Sequence, residues 1–204
     1  MRRKSGFLIL CLVSVFLFVC AVDLAHAAPP EGKGPKVKPV LLARTGQTTS
    51  YAPGDDGDLQ MGVPSPTPRF IDNGDGTATD RLIGLTWTKD GSLYFIHWSD
   101  ALSACNAYSV GTLDDWRMPN IRELQSLLDY EQSNPMLPVG HPFINIQMGG
   151  FYYWSSTTNA AWDTYHDVFA VAMDSGWARI WPKDSGGYVL CVRGDSSDDR
   201  PGKK

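Results

Sequence analysis

The stretch DDWRMPNIRELQSLLDY, residues 114 to 130, decides the fold of this chain because it predicts where a helix begins and which side it buries. Asn120 is a favourable N-cap residue, and Glu123 stands at the third helical position. Each of these two side chains can therefore accept the backbone N–H of the other residue. Apolar residues then recur at spacings of three and four: Ile121, Leu124, Leu127 and Leu128. The stretch therefore predicts a capped helix of about three turns that packs one stripe against a core.

The residues before this helix are predicted to be extended, because Pro119 disfavours helical backbone in the residue that precedes it. Asp115, Arg117 and Glu123 are charged and close in sequence, which invites a catalytic interpretation. The alternative is a buried tryptophan whose neighbouring charges fix a turn, and we favour it. The predicted structural signature is Trp116, Arg117, Asn120 and Glu123.

The first 27 residues predict a secretory signal. Arg2, Arg3 and Lys4 give a positively charged start, the apolar run Phe7–Val22 follows, and Ala25–Ala27 has the small-x-small pattern of a cleavage site. A retained membrane anchor is the alternative, but 16 apolar residues are short for a span. The mature chain is expected to be secreted, periplasmic or at the cell surface, with no membrane segment after cleavage.

Charge and composition divide the remaining chain and exclude one class of partner. Without residues 1–27 it holds 15 Lys and Arg against 21 Asp and Glu, a formal net charge of −6, which argues against nucleic-acid binding. Residues 28–40 are rich in proline and lysine and predict an exposed linker. Residues 41–194 are predicted to form one domain, of which 41–68 is an ordered peripheral loop. Residues 195–204 are a polar tail.

Two cysteines remain after signal cleavage, Cys105 and Cys191. An even pair in an exported chain predicts a disulfide, which would close a loop of 85 intervening residues. Two free thiols that serve as a catalytic or metal-binding pair are the competing interpretation.

The order of predicted elements favours an α+β domain with a largely antiparallel sheet and two helices. The second helix is residues 98–108, with Ser99 as its cap and Cys105 facing the core. Trp87, Trp98, Trp116 and Trp154 are expected in the core. Strands are predicted at 69–72, 77–80, 85–88, 152–158, 168–173, 177–181 and 188–193.

The run DNGDG, residues 72–76, contains the Asp, Asn and Gly residues of calcium-binding loops, so it is compared with the EF-hand pattern. If Gly76 is aligned with the invariant glycine, Ile71 falls at the first ligand position and no Glu falls at the twelfth. The pattern fails, so Asn and Asp residues that make a hairpin turn are the favoured interpretation. No metal site and no cofactor is expected.

Five motifs, in order along the chain, resemble the Lcl C-terminal domain family of a collagen-like bacterial adhesin. They are RFIDNGDGTATDRLIGLTWTKD (69–90), WSDALSACN (98–106), DWRMPNIRELQSLLDY (115–130), YWSSTT (153–158) and YVLCVRG (188–194). The resemblance implies a C-type-lectin-like fold related to that of formylglycine-generating enzymes, with a helix-to-last-strand cysteine pair. For the adhesin it implies binding of sulfated glycosaminoglycans. This chain has no collagen-like Gly-x-y repeat, so multimerisation through a stalk is not expected.

The favoured function is an exported, non-catalytic adhesion or binding module for carbohydrate. Aromatic rings can stack on sugar C–H faces while charged neighbours bind hydroxyl groups. Glycosaminoglycan binding would need clustered cations, for which Arg179, Lys183 and Arg193 are the candidates. The candidate ligand-binding residues are Trp162, Asp163, Tyr165, Asp167, Trp177, Arg179, Trp181 and Lys183.

Two alternatives stay open at this stage. A module that binds or organises an envelope or host surface protein cannot be separated from a sugar-binding module by sequence. An enzyme related to the formylglycine-generating group is less favoured, because that chemistry needs reactive cysteines. His97, His141 and His166 are widely spaced and match no metal-binding pattern.

Overall fold

The computed structural model describes residues 42–161 and 166–194. Along the described chain, after a short first helix, four strands are followed by two helices and then by five further strands, which confirms the predicted α+β class with mostly antiparallel pairing. No helix within these two ranges is both long and apolar enough to cross a membrane.

One sheet has four antiparallel strands in the order β1-β2-β3-β9. The turn between the first two confirms the predicted hairpin, because Asp72 Oδ1 accepts the Gly74 N–H at 3.0 Å and Asp75 Oδ1 accepts the Thr77 N–H at 3.0 Å. These carboxylates therefore hold the turn. The strands are β1 Phe70–Asp72, β2 Thr77–Asp80, β3 Thr86–Thr88 and β9 Val192–Arg193.

The second sheet has five strands in the order β4-β8-β5-β6-β7, and only its β5–β8 pair is parallel. The sequence did not predict its short strand β4, because two residues are too few to show an alternating pattern. The strands are β4 Phe95–Ile96, β5 Tyr153–Thr158, β6 Asp167–Val171, β7 Ala178–Pro182 and β8 Gly187–Tyr188.

The single last strand predicted at 188–193 is wrong, since β8 and β9 belong to different sheets. Tyr188 pairs with Phe95 in the five-stranded sheet, whereas Val192 pairs with Trp87 in the four-stranded sheet. The residues between them are fully buried and carry the chain from one sheet to the other. Both halves are apolar, so sequence composition does not mark the crossing.

Helix α2, Trp98–Ala107, begins at the predicted residue and ends one residue before the predicted end. Its N-cap is His97, whose side chain makes no capping hydrogen bond, so the predicted Ser99 cap is wrong. The backbone N–H of Trp98 instead donates to the carbonyl oxygen of Lys183, at 3.1 Å. A distant loop thus supplies an acceptor that a capping side chain would otherwise provide.

Two further helices occur, one predicted and one not. Helix α3, Ile121–Ser126, is the predicted helix of the opening stretch, but its six residues make fewer than two turns, so the predicted length of about three turns is wrong. Helix α1, Asp56–Leu59, lies in the segment predicted to be a peripheral loop. It is capped by Asp55, whose Oδ1 accepts the Asp58 N–H at 2.9 Å.

The five-stranded sheet separates two groups of buried side chains. On one side Tyr153 and Val171 join α3 and the four-stranded sheet; on the other, Trp154 and Ala170 join α2. Alternate residues of β5 and β6 thus supply the two cores, as the two-residue period of a strand requires. Among the tryptophans predicted to be core, Trp87, Trp116 and Trp154 are buried and Trp98 is partly buried.

The predicted disulfide is confirmed. The sulfur atoms of Cys105, in α2, and Cys191, next to β9, lie 2.00 Å apart, and both residues are fully buried. The interpretation of two free thiols is therefore wrong. The bond ties α2 to the segment in which the chain changes sheets.

Candidate functional site

The capped segment, residues 114–126, has the predicted cap in full. Asn120 Oδ1 accepts the N–H groups of Arg122 and Glu123 at 2.9 and 3.0 Å. In return Glu123 Oε2 accepts the Asn120 N–H at 2.8 Å. The reciprocal arrangement satisfies backbone donors that the first helical turn leaves without partners.

The charges of the capped segment are engaged with each other and with β9. Arg117 makes two hydrogen bonds to the buried Glu123 carboxylate, at 2.8 and 2.7 Å, and exchanges backbone hydrogen bonds with Val192. Asp115 pairs with Arg193 at 2.5 Å. These groups hold the helix start against the last strand, which supports the structural interpretation over the catalytic one.

Strand β7 presents a different arrangement of the same residue types. It is the edge strand of the five-stranded sheet, and its neighbour β6 pairs Val168 with Trp181 and Ala170 with Arg179. Because side chains alternate along a strand, Arg179 and Trp181 project to one side of the sheet. Trp177 directly precedes the strand, and its carbonyl accepts the Ala172 N–H. Trp177 is 68% exposed. We call Trp177, Arg179, Trp181 and Lys183 the β7 surface.

Both cations of the β7 surface lie over aromatic rings. The guanidinium carbon of Arg179 is 5.2 Å from the ring centroid of Trp181 and 5.3 Å from that of Tyr152. The ammonium of Lys183 is 4.3 Å from the ring centroid of Trp98. These are cation–π distances, which restrict the positions of the two charges.

The two inner tryptophan rings are also fixed by hydrogen bonds. The Nε1–H of Trp181 donates to the Gly186 carbonyl at 3.2 Å, and its ring lies 4.6 Å from that of Tyr152. The Nε1–H of Trp98 donates to the Ser155 carbonyl at 2.9 Å. The β7 surface therefore combines rigid inner rings with the exposed ring of Trp177.

Arg179 has no carboxylate partner among the described residues. Its Nη1 lies 3.1 Å from the hydroxyl oxygen of Tyr152, and the side chain is exposed. A guanidinium carries five N–H donors, so most of its donors face solvent here. A positioned cation beside an exposed ring can bind a ligand that offers both an apolar face and oxygen acceptors.

Not all predicted ligand-binding residues join this surface. Asp167 pairs with Pro182, so its side chain projects to the opposite side of the sheet from Arg179. Arg193 lies in the other sheet and is paired with Asp115, so the predicted cluster of three cations is reduced to two. Trp162, Asp163 and Tyr165 lie outside the described residues.

Sequence reasoning missed the residues beneath the β7 surface and a second exposed aromatic group. Tyr152 was assigned only to a strand and Trp98 only to the core, because their contacts come from distant parts of the chain. At the opposite edge of the five-stranded sheet, Phe95 and Phe151 are 52% and 41% exposed. Their ring centroids are 6.0 Å apart and both contact Tyr188. We call these three residues the β4 patch.

The leading segment, residues 42–68, is attached to the domain by an acidic side chain. Glu131 Oε2 accepts the N–H groups of Thr48 and Thr49 at 2.7 and 2.9 Å, and Oε1 accepts the Thr49 hydroxyl. The Thr49 hydroxyl and then the two N–H donors lower the pKa of Glu131 to about 2. Gly46 has φ +94°, and a Cβ there would lie 2.3 Å from the Asp129 carboxylate.

Metal binding or acid–base chemistry would depend on the His, Cys, Asp, Glu and Tyr side chains of the described residues. No group of three or more His, Cys, Asp or Glu side chains in the described ranges is placed to hold a metal ion. Burial lowers the pKa of His141, which lies 5.9 Å from the Phe143 ring and whose Nδ1 has no hydrogen-bond partner in the described structure. Burial raises the pKa of Tyr153, whose hydroxyl donates to the Gly91 carbonyl at 2.9 Å.

Together these features define a disulfide-linked α+β domain with two mainly antiparallel sheets and an exposed aromatic and cationic edge strand. The chain belongs to the Lcl C-terminal domain family, whose family model matches residues 76–193. No curated protein matches the chain. The leading segment precedes the matched range but is hydrogen-bonded to Glu131 within it.

Proposed function

We propose that the chain is an exported, non-catalytic binding module that recognises carbohydrate through the β7 surface. The observation that carries the proposal is the exposed ring of Trp177, which lies at the start of β7, two residues before the positioned cation of Arg179. A sugar offers C–H groups on the faces of its ring and hydroxyl groups at the rim. An aromatic ring beside fixed hydrogen-bond donors is complementary to both.

The charge on the β7 surface favours a carbohydrate that carries anionic groups. Arg179 lies over the rings of Tyr152 and Trp181, and no described residue provides a carboxylate that pairs with it. Lys183 lies over the ring of Trp98. A guanidinium binds sulfate or carboxylate oxygens through two parallel hydrogen bonds. Glycosaminoglycans are the class that the family resemblance suggests, and the two cations are the residues with which they would interact.

The non-catalytic part of the proposal rests on the cysteines and on the capped segment. Cys105 and Cys191 are bonded to each other, so neither supplies a thiolate nucleophile. The carboxylates that suggested catalysis, Asp115 and Glu123, are paired with arginines. Export rests on the signal pattern of residues 1–27.

A glycan array with the exported protein tests this proposal. Trp177→Ala is expected to weaken binding to any retained glycan by about tenfold, which corresponds to about 1.4 kcal/mol. Phe95→Ala is the matched control, since it removes an exposed ring from the opposite edge of the same sheet. Equal affinity for the wild type and Trp177→Ala would refute the assignment of the β7 surface.

A heparin column separates anionic from neutral carbohydrate. The wild type is expected to be retained at low salt and released at higher salt, because exposed charges are screened. Arg179→Ala is expected to elute earlier, whereas Arg122→Ala, which removes an exposed arginine of α3, should elute close to the wild type. Passage of the wild type without retention at low salt would exclude glycosaminoglycans.

A second candidate is a module that binds another envelope or host protein through the β4 patch. Phe95 and Phe151 offer apolar ring surface without polar atoms, which suits a protein partner better than a sugar. Loss of attachment to cells in Phe95→Ala, with Trp177→Ala unaffected, would favour this function over carbohydrate binding.

A further inference from the structure

The outer edge of β7 carries backbone groups that no described residue uses. The Ala172 N–H donates to the Trp177 carbonyl, and the Lys183 N–H donates to the His166 carbonyl. In an antiparallel pair, hydrogen-bonded positions recur every second residue, so the odd-numbered residues of β7 face β6. The N–H and C=O groups of Ala178 and Ile180 therefore point away from the sheet. They have no hydrogen-bond partner in the described part of the chain.

This edge also exposes apolar surface. Ile180 is 41% exposed and Ala178 is exposed beside it. A free edge with these properties is a template for another strand unless charges or proline prevent pairing. Pro182 lacks an N–H, but it is the last residue of the strand, so only the final donor is missing.

We propose that two copies of this chain associate through β7, antiparallel and with Ile180 opposite Ile180, so that their five-stranded sheets become continuous. In this register each Ile180 N–H donates to the Ile180 carbonyl of the other copy. Each Ala178 N–H donates to the Pro182 carbonyl of the other copy. Every outward donor of the two strands then has an acceptor, and no hydrogen bond within either copy is lost.

The side chains select this register over its neighbours. With Ile180 opposite Ile180, Arg179 lies opposite Trp181 of the second copy, which is a cation–aromatic pair. A shift by one pairing step towards the start of the strand would place Arg179 opposite Arg179. A shift by one step the other way would place Arg179 opposite Lys183. Both shifted registers bring like charges together, which destabilises cross-strand pairs.

Association through this edge places the β7 surfaces of both copies on one continuous side of the joined sheet. The pairing itself does not rest on carbohydrate binding, because it uses the backbone edge and not the exposed ring of Trp177. If the β7 surface does bind glycans, the dimer presents two such surfaces to one polymer. Linked sites increase overall binding without any new contact.

Sedimentation analysis of the full chain, expressed for export and purified without reductant, tests the proposal across a dilution series. The wild type and Ile180→Val are expected to show twice the mass of one chain at high concentration. Ile180→Pro is expected to show the mass of one chain with an unchanged circular dichroism spectrum, because a proline is tolerated where the N–H faces outward. A wild type that sediments as one chain at every concentration would overturn the proposal.

Cross-linking tests the register and does not depend on the proline variant. Residues 179 and 181 of opposite copies form a non-hydrogen-bonded pair, whose short Cα separation of about 4.5 Å permits a disulfide. A mixture of Arg179→Cys and Trp181→Cys is expected to cross-link on oxidation, and each variant alone is not. Cross-linking of Arg179→Cys with itself, and not with Trp181→Cys, would overturn the register.

Discussion

The capped segment and the β7 surface use the same residue types in opposite ways. In the capped segment Trp116 is 3% exposed and Arg117 makes two hydrogen bonds to Glu123. On the β7 surface Trp177 is 68% exposed and Arg179 lies over two rings with no carboxylate bound among the described residues. A tryptophan and an arginine thus serve as architecture in one place and as a candidate binding surface in the other.

The comparison shows that the role of an arginine depends on which group it contacts and not on the residue type alone. Glu123 lies six residues after Arg117, so the charge of Arg117 is neutralised locally, and the ring of the neighbouring Trp116 is buried. Arg179 has two ring partners, Trp181 in its own strand and Tyr152 just before β5, which position the guanidinium but supply no negative charge. Variants of the two regions should therefore separate into losses of stability and losses of binding.

The largest expected effect concerns the disulfide that joins α2 to the residue before β9. The double variant Cys105→Ser, Cys191→Ser removes a bond that spans 86 residues, and the chain-entropy model assigns such a loop about 4 kcal/mol of unfolding free energy. Urea denaturation of the oxidised protein measures this loss. If the variant were as stable as the wild type, the disulfide would contribute nothing measurable to the unfolding free energy, and this prediction would be wrong.

Glu123→Ala is expected to lower the free energy of unfolding by about 2 kcal/mol, because it removes a cap and both hydrogen bonds that Arg117 makes to the carboxylate. The cap alone predicts about 1 kcal/mol, so the larger value measures the contribution of the ion pair. Glycan affinity of the folded variant should match the wild type. A large loss of affinity would instead assign the capped segment to binding.

Asn120→Ala and Ser99→Ala form a matched pair of cap variants. Asn120 accepts two backbone hydrogen bonds, so its replacement should cost about 1 kcal/mol in thermal or urea unfolding. Ser99 was predicted to cap α2 but lies inside the helix, so Ser99→Ala should change stability by less than about 0.5 kcal/mol. Similar losses for both variants would contradict the placement of the α2 start.

The smallest expected effect is local and depends on pH. The pKa of Glu131 is lowered from 4.5 to about 2, so its carboxylate holds the leading segment fully above pH 4.5. The stabilisation is lost as the pH falls from there towards 2, because the carboxylate becomes protonated. Hydrogen exchange at Thr48 and Thr49 should rise over this range, and Glu131→Gln should raise it already at neutral pH. Unchanged exchange in Glu131→Gln would contradict the attachment.

Features that depend on neighbours in sequence were predicted well. The capping box of Asn120 and Glu123 and the hairpin turn at 72–77 are local, because their hydrogen bonds join residues a few positions apart. The disulfide was predicted because only two cysteines lie outside the signal pattern of residues 1–27, and two cysteines allow a single pairing.

Features that depend on distant partners were not predicted. The predicted Ser99 cap of α2 is wrong because the acceptor at the helix start is the distant Lys183 carbonyl, and the division of the last strand depends on which sheet each half meets. The candidate site shows the same limit. Residue type alone named the four members of the β7 surface, and it also named Asp167. The sequence does not show that Asp167 pairs with Pro182, so it could not show that the Asp167 side chain projects to the other side of the sheet. The rings of Tyr152 and Trp98 come from other elements.

The most direct test of the account compares Arg179→Ala with Arg117→Ala, measuring both unfolding free energy and glycan affinity. Arg179→Ala is expected to keep the wild-type stability within about 0.5 kcal/mol and to lose affinity. Arg117→Ala is expected to lose about 2 kcal/mol of stability, because Glu123 is left buried without its partner, and to keep its affinity when folded. An Arg179→Ala variant that binds glycan as well as the wild type would contradict the assignment of the β7 surface.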